Sequence, residues 1–247
     1  RALAEGGKIQ AFAGGIAGTL DVEKTSMRKT RNISPEWIGE LLVDIFHELY
    51  GDLDTPFILE NDSAVVGLGE MHYGAGISKG IGVYITVSTG VGGARFVNGR
   101  IDARAVGFEP GHQIIDVDST LCPECKPCET CRIVDLESMI SGSGLEKRTG
   151  KKPYVISQDD PLWDTLGEWL AFGLFNVTVL WSPHKIVLGG SMMAGDPRIS
   201  LEVTRQKFFE LLGVYPVIPE ITLSKLGDFG GLYGGMVLIS QLKNKKA

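Results

Sequence analysis

The chain has 247 residues, of which 43% are hydrophobic and 22% charged, and its net charge is -6. That is the composition of an ordinary soluble globular protein, long enough for one large domain or two lobes with a real core. The acidic balance, with no basic stripe carrying interleaved aromatics, excludes nucleic acid as a natural partner.

In chain order, Lys8 to Ala13 reads as a strand, followed by a turn over Gly14-Gly15-Ile16-Ala17-Gly18. Glu23 to Asn32 is polar and basic and reads as a loop. Ser34-Pro35-Glu36-Trp37 opens a helix, with Ser34 as cap, Pro35 at its first position, and Ile38, Leu41, Leu42, Ile45 and Leu49 at helical spacing. Thr55 to Leu59 is a short strand ending at Glu60-Asn61-Asp62-Ser63, and Ala64 to Tyr73 continues as a helix stopped by Gly74 and Gly76.

Ile81 to Val87 is a strand of apolar and β-branched residues, turning through Ser88-Thr89-Gly90-Val91-Gly92-Gly93 into a second strand, Ala94 to Val97. Asn98-Gly99 is a strong hairpin signal before Arg100 and Ile101. Leu136 to Thr149 reads as one helix, Trp163 to Trp181 as a long one, and Lys185 to Leu188 as a strand ending in Gly189-Gly190. An amphipathic helix over Ile199 to Leu212, a strand over Glu220 to Ser224 and a helix over Met236 to Leu242 follow. The alternation makes the class α/β.

The long apolar helix contains Asp164, Glu168 and Asn176, so its charge-free part falls short of the ~20 residues a membrane span needs. No membrane partner is expected. Arg1 to Gly7 lack the apolar core of a signal peptide. With all cysteines confined to one loop, the expected compartment is the reducing cytoplasm. Lys243, Lys245 and Lys246 read as a solvated tail.

The stretch Glu109 to Glu137 holds the four cysteines, Cys122, Cys125, Cys128 and Cys131, at a repeating C-x-x-C interval, with His112 upstream. Thiolates so spaced can close on one soft cation, and Pro123 and Pro127 keep the loop from forming a regular helix. Zinc held by some set of these five residues is the expectation. Iron–sulfur ligation, a pair of disulfides and free thiols are the other readings.

Asp62 stands where a strand gives way to a helix, at the sheet edge where open α/β folds bind ligands. A carboxylate there can take a proton from a substrate hydroxyl during phosphoryl transfer, or it can simply cap the helix. The Ser88–Gly93 glycine turn could lay backbone N–H groups around a phosphate, yet it is neither a Walker motif nor a dinucleotide fingerprint. Gly189-Gly190 is equally a nucleotide contact or a plain strand-to-helix turn.

Taken in order, Gly15-Ile16-Ala17-Gly18, Glu60-Asn61-Asp62, Thr89-Gly90-Val91-Gly92-Gly93, Glu109-Pro110-Gly111-His112, Leu136-Glu137-Ser138 with Ser141-Gly142, and Ile186-Val187-Leu188-Gly189-Gly190 resemble the ROK family of repressors, open reading frames and sugar kinases. The resemblance implies a two-lobed, actin-like (ribonuclease H-like) sugar kinase fold. Residues 1–79 with a C-terminal helix over 235–247 would form one lobe, and 80–234 the other, carrying the metal loop 109–137. It implies ATP-dependent phosphorylation of a hexose or N-acetylhexosamine, with ATP, Mg²⁺ and Zn²⁺ as cofactors and a homodimer as the assembly. Asp62 would be the base. Asn32, Asn61, Glu109, His112 and Glu137 would contact sugar. Thr89, Gly90 and Gly92 would meet the phosphates, Gly189 and Gly190 the adenosine side, and His112 with Cys122, Cys125, Cys128 and Cys131 the zinc.

Three departures stand out. Asp135 occupies the place of the family's last cysteine before Leu-Glu, Ser88 replaces the usual glycine, and no Asp-x-Gly-Gly-Thr phosphate loop precedes Lys8. A preceding segment missing from this chain is the expectation for the last. The same residues also admit a catalytically inactive sugar-binding protein, or, more remotely, an interaction module built on the cysteine loop. No helix-turn-helix signal supports the repressor branch.

Overall fold

The computed structural model describes residues 11–29, 34–42, 44, 45, 48, 55–127, 132–213 and 215–243. Two small sheets come first. Strand β1 (Phe12–Ile16) pairs in parallel with β4 (Phe57–Asn61), while β2 (Thr19–Leu20) pairs antiparallel with β3 (Met27–Lys29). The expected glycine turn therefore begins only at Ala17, because Gly14 and Gly15 belong to β1. The expected loop over Glu23 to Asn32 contains β3 as far as it is described. Ser34 opens only a single 3-10 turn, Pro35–Trp37, and its side chain makes no cap bond.

Helix α1 (Asp62–Tyr73) follows β4 directly. A five-stranded sheet comes next, in the order β11 (Glu220–Leu223), β10 (Lys185–Gly189), β5 (Ile81–Val87), β6 (Val91–Val97), β7 (Arg100–Ile101). β10 runs parallel to both neighbours, whereas β5, β6 and β7 form an antiparallel meander turned by Asn98-Gly99. Strand side chains alternate between faces, so one sheet is covered twice. Val83, Ile85, Val87, Ile186 and Leu188 enter one core with Trp163, Leu170 and Leu174 of helix α4 (Leu162–Trp181) and Phe208 of α6 (Leu201–Leu212). Tyr84, Ala94, Phe96 and Val187 enter the other, with Ala64, Val65 and Leu68 of α1 and Val237 and Leu238 of α7 (Gly230–Lys243).

Helix α7 starts six residues ahead of the expected Met236, through a run of glycines that would ordinarily weaken a helix. Packing overrides that cost. A Cβ on Gly234 would lie 1.8 Å from the Val65 carbonyl, and one on Gly69 would lie 2.4 Å from the Gly230 carbonyl, so the two helices meet backbone to backbone. The Glu70 carboxylate, 1% exposed, accepts the amides of Ala75, Lys225 and Leu226 at 2.8–2.9 Å and so fixes the turn that launches α7.

The stretch expected as one helix from Leu136 to Thr149 is two, α2 (Leu136–Ile140) and α3 (Gly142–Thr149), separated at Ser141. The remaining short helix, α5, spans Ser191–Ala194. Strand β8 (Ile114–Val117) pairs with β9 (Ile133–Asp135), closing the cysteine loop at its base. Inside that loop the Asp116 carboxylate, 4% exposed, accepts the amides of Thr120, Leu121 and Cys122. No described helix is long and apolar enough to cross a membrane.

Candidate active site

A cavity of about 770 Å³ opens where β1, β4, the β5–β6 turn and the Pro110–His112 turn converge. Its lining includes Asn61, Asp62, Glu109, His112 and Glu137 together with Thr89, Gly90, Gly92 and Gly190. Nine of the residues picked out in the sequence thus come together from segments up to 129 positions apart, counting from Asn61 to Gly190. Asn32 lies outside the described residues, as do Cys128, Cys131, Lys245 and Lys246.

Each side chain is set by its own local structure. Asn61 is the N-cap of α1, accepting the amides of Ser63 and Ala64 at 3.1 and 3.3 Å and donating through Nδ2 to the Gly18 carbonyl at 3.3 Å. Both ends of that amide are therefore engaged within the protein. Asp62 is the first residue of the helix, and its Oδ1 accepts the Ser63 amide at 2.7 Å. The capping duty that Asp62 could have carried falls on Asn61.

Glu109 opens the Pro110–His112 turn and accepts a bond of 3.4 Å from the Thr19 hydroxyl across the cleft. His112 shares a 2.9 Å bond between its Nδ1 and Oδ2 of Asp135. The other oxygen of Asp135 caps α2, accepting the Ser138 amide at 2.8 Å. Burial pushes the Asp135 carboxyl up, but the bonds from Ser138 and His112 outweigh it and hold the group below its ordinary value. Glu137, the second residue of α2, accepts the Val91 amide at 2.9 Å.

At the glycine turn, the hydroxyls of Ser88 and Ser191 lie 3.0 Å apart, joining the β5–β6 turn to the start of α5. Gly190 has φ +90°, in the region that favours glycine, and a Cβ there would lie 2.3 Å from the Val87 carbonyl. Gly189 does not reach the cavity. It packs on the Tyr84 ring, whose hydroxyl would sit 2.3 Å from an added Cβ. Burial of Tyr84, only partly offset by its bond with Thr86 and reinforced by Glu70 and Asp62, pushes that phenol up to about 12.

Thr19, Ser63, Thr86 and Phe108 also line the cavity and were not singled out in the sequence. Thr19 follows the Gly-Ile-Ala-Gly stretch and Phe108 precedes Glu109-Pro110-Gly111-His112, so proximity to those stretches was the available signal.

The metal expectation is not met by the described part of the cysteine loop. Cys122 and Cys125 are joined to each other as a disulfide, which leaves neither sulfur as a thiolate donor, and His112 directs Nδ1 to Asp135. Among the described residues no group of three or more histidines, cysteines, aspartates or glutamates could hold a metal ion.

A doubly covered mixed sheet with a polar cleft at its glycine turns is the α/β architecture of the actin-like sugar kinases. Similarity to known proteins narrows this further. The model of the ROK family matches residues 1–242, and the chain belongs to that family. A fructokinase of Lactococcus lactis subsp. cremoris is 31% identical over 218 residues, covering 86% of this chain and 71% of the relative. A ROK hexokinase from Thermus thermophilus superposes with a TM-score of 0.74 at 25% identity, covering 96% of this chain and 80% of that one. A ROK family glucokinase from Streptomyces griseus, solved with glucose and AMPPNP, superposes with a TM-score of 0.72 at 24% identity, covering 95% and 83%.

Proposed function

We propose that this chain is a sugar kinase, transferring the terminal phosphoryl group of ATP to a hydroxyl of a hexose or N-acetylhexosamine. The observation that supports this best is the cavity itself, which is lined by Asp62, Glu109, His112 and Glu137 together with the Thr89–Gly92 turn and Gly190. Relatives named fructokinase and a ROK glucokinase holding glucose and AMPPNP support the same substrate pair.

In this reading Glu109, His112 and Glu137 accept from and donate to sugar hydroxyls, with Asn61 holding the local helix start and Asn32 completing the sugar contacts. Asp62 takes the proton from the attacking hydroxyl as the phosphoryl group arrives. Backbone amides of Thr89, Gly90 and Gly92 meet the phosphates, and Gly190 lets the chain approach the nucleotide closely. Mg²⁺ bound with ATP supplies neutralisation of phosphate charge, and none of this chain's residues is assigned to it. Residues 1–79 with 235–247, and 80–234, act as the two lobes of the cleft, and two copies form the working assembly. In the reduced protein Cys122, Cys125, Cys128 and Cys131 form a tetrathiolate zinc set, which leaves His112 to the sugar.

The test is a coupled assay of ADP release by the natural protein over a panel of hexoses and N-acetylhexosamines. Hexose-dependent turnover is the expected result. Tight sugar binding by calorimetry with no ADP release would favour an inactive sugar-binding protein instead.

A further inference from the structure

His112 lines the sugar side of the cavity, and which of its nitrogens carries the proton decides whether it offers a sugar hydroxyl an acceptor or a donor. The ring is not free to choose. Its Nδ1 lies 2.9 Å from Oδ2 of Asp135, and an ionised carboxylate can only accept. The neutral ring therefore carries its proton on Nδ1, which leaves the Nε2 lone pair for a ligand. Asp135 is itself locked, since its Oδ1 accepts the Ser138 amide at 2.8 Å and it starts the helix that carries Glu137. One carboxylate thus ties the His112 turn to the Glu137 helix.

We infer that Asp135 is a positioning residue for sugar recognition: it fixes His112 as the Nδ1–H tautomer, so that Nε2 accepts a hydrogen bond from a sugar hydroxyl, without a metal at Nδ1. Asp135 stands where the family resemblance expects a cysteine, and its carboxylate is what His112 Nδ1 meets there. Carboxylates orient histidines in the same way in metal sites and catalytic triads. The inference rests on the sugar-site reading above for its consequence, though not for its tautomer.

Asp135→Asn separates positioning from capping. Asparagine caps helices as well as aspartate does, so its carbonyl oxygen keeps the Ser138 bond. Its NH₂ group then faces Nδ1 and donates, which drives the ring proton to Nε2 and turns an acceptor into a donor.

Two measurements decide the matter. In the ¹⁵N-labelled wild-type protein without sugar, imidazole NMR assigned through His112→Gln should show protonated Nδ1 and bare Nε2, and Asp135→Asn should reverse them. Calorimetry with D-fructose and D-glucose, in reductant with and without chelator, should show binding weakened roughly tenfold or more by Asp135→Asn. ATP affinity should hold, and chelation should change sugar affinity less than twofold. Asp135→Ser, which keeps a capping oxygen but offers His112 no partner, should weaken sugar binding in the same direction.

A proton on Nε2 in the wild type, or on both nitrogens, overturns the inference whatever the sugar results. So does wild-type sugar affinity in Asp135→Asn, or a loss on chelation as large as that caused by the substitution. If the wild type binds neither sugar while the tautomer is as stated, the sugar-site reading fails and with it the role in sugar recognition, and only the tautomer assignment stands.

Discussion

The Glu137 carboxylate accepts the Val91 backbone amide at 2.9 Å, so a side chain that lines the cavity from α2 also holds the β5–β6 glycine turn. Glu137 is thereby a strut between two halves of the site as well as a candidate sugar contact. In the proposed function a strut of this kind couples the two ligands, because sugar that orders Glu137 also orders the Val91 amide.

Glu137→Ala should therefore weaken both ligands, sugar by roughly tenfold or more and nucleotide by a smaller factor, because an unpaired group in a desolvated site costs about 1–3 kcal/mol. Glu137→Gln keeps an acceptor for Val91 and should spare the nucleotide while still weakening sugar. Titration calorimetry with hexose and with a non-hydrolysable ATP analogue separates the two. Unchanged nucleotide affinity in Glu137→Ala would mean that the Val91 bond contributes nothing to the phosphate turn.

Glu60, 5% exposed, pairs with both Lys24 and Arg104. It binds the β2–β3 hairpin and the loop that leads to Glu109 onto the strand that ends in Asn61, just ahead of Asp62. Removing the charge from such a carboxylate strands two cations, and breaking a fully buried pair costs about 3–5 kcal/mol. Lys24 is 35% exposed, so water recovers part of that loss. Glu60→Gln should lower stability by about 1–3 kcal/mol in urea unfolding. A wild-type urea midpoint would show these contacts to be energetically idle.

Asp21 gives the clearest pH signature. Desolvation pushes its carboxyl up, but bonds from the amides and hydroxyls of Ser26 and Thr25 outweigh it and bring the group from 3.8 down to about 2. A carboxyl lowered on folding adds stability that is complete above its unfolded value and is lost as pH falls through the folded one. The thermal-stability gap between wild type and Asp21→Asn should thus be constant above about pH 5 and shrink as pH falls from about 4 towards 2. A gap that does not change over that window would mean the carboxylate's bonds are not formed in solution.

Much of this was readable in the sequence, and the parts that were not share a cause. The apolar and β-branched run Ile81–Val87, the Asn98-Gly99 turn and the long apolar helix are local patterns, and the structure keeps each of them. Strands β2, β3, β8 and β9 are two to four residues long and exist only through their pairing, so no local pattern could reveal them. The early start of α7 at Gly230 depends on backbone contact with α1, a tertiary effect that propensity argues against. In the site, the residue types and their order were legible, whereas their partners were not. That Asn61 also caps a helix and that Gly189 packs on Tyr84 could not be read from their positions, and the cysteine loop, read as a metal site, is organised where described by the Asp116 carboxylate and a disulfide.

Asp62 is where that distinction bears on catalysis. From sequence, the residue could be a base or a helix cap, and the structure gives the cap to Asn61, whose side chain takes the Ser63 and Ala64 amides. Asp62 is left at the cavity wall with its Oδ1 held by the Ser63 amide, a bond that steadies the carboxylate without occupying its second oxygen. A sugar hydroxyl is a poor nucleophile near neutral pH, so a fixed carboxylate in reach should accept its proton late, as the phosphoryl group transfers. Losing that acceptor should then fall on kcat and not on sugar binding. Asp62→Asn keeps the shape and can keep the Ser63 bond, so the natural protein carrying it should bind hexose normally while turnover falls by about 10²-fold or more. Steady-state kinetics beside calorimetry on the same preparation make the comparison. Wild-type turnover in Asp62→Asn would assign the base elsewhere, and an equal loss in sugar affinity would make Asp62 a binding residue.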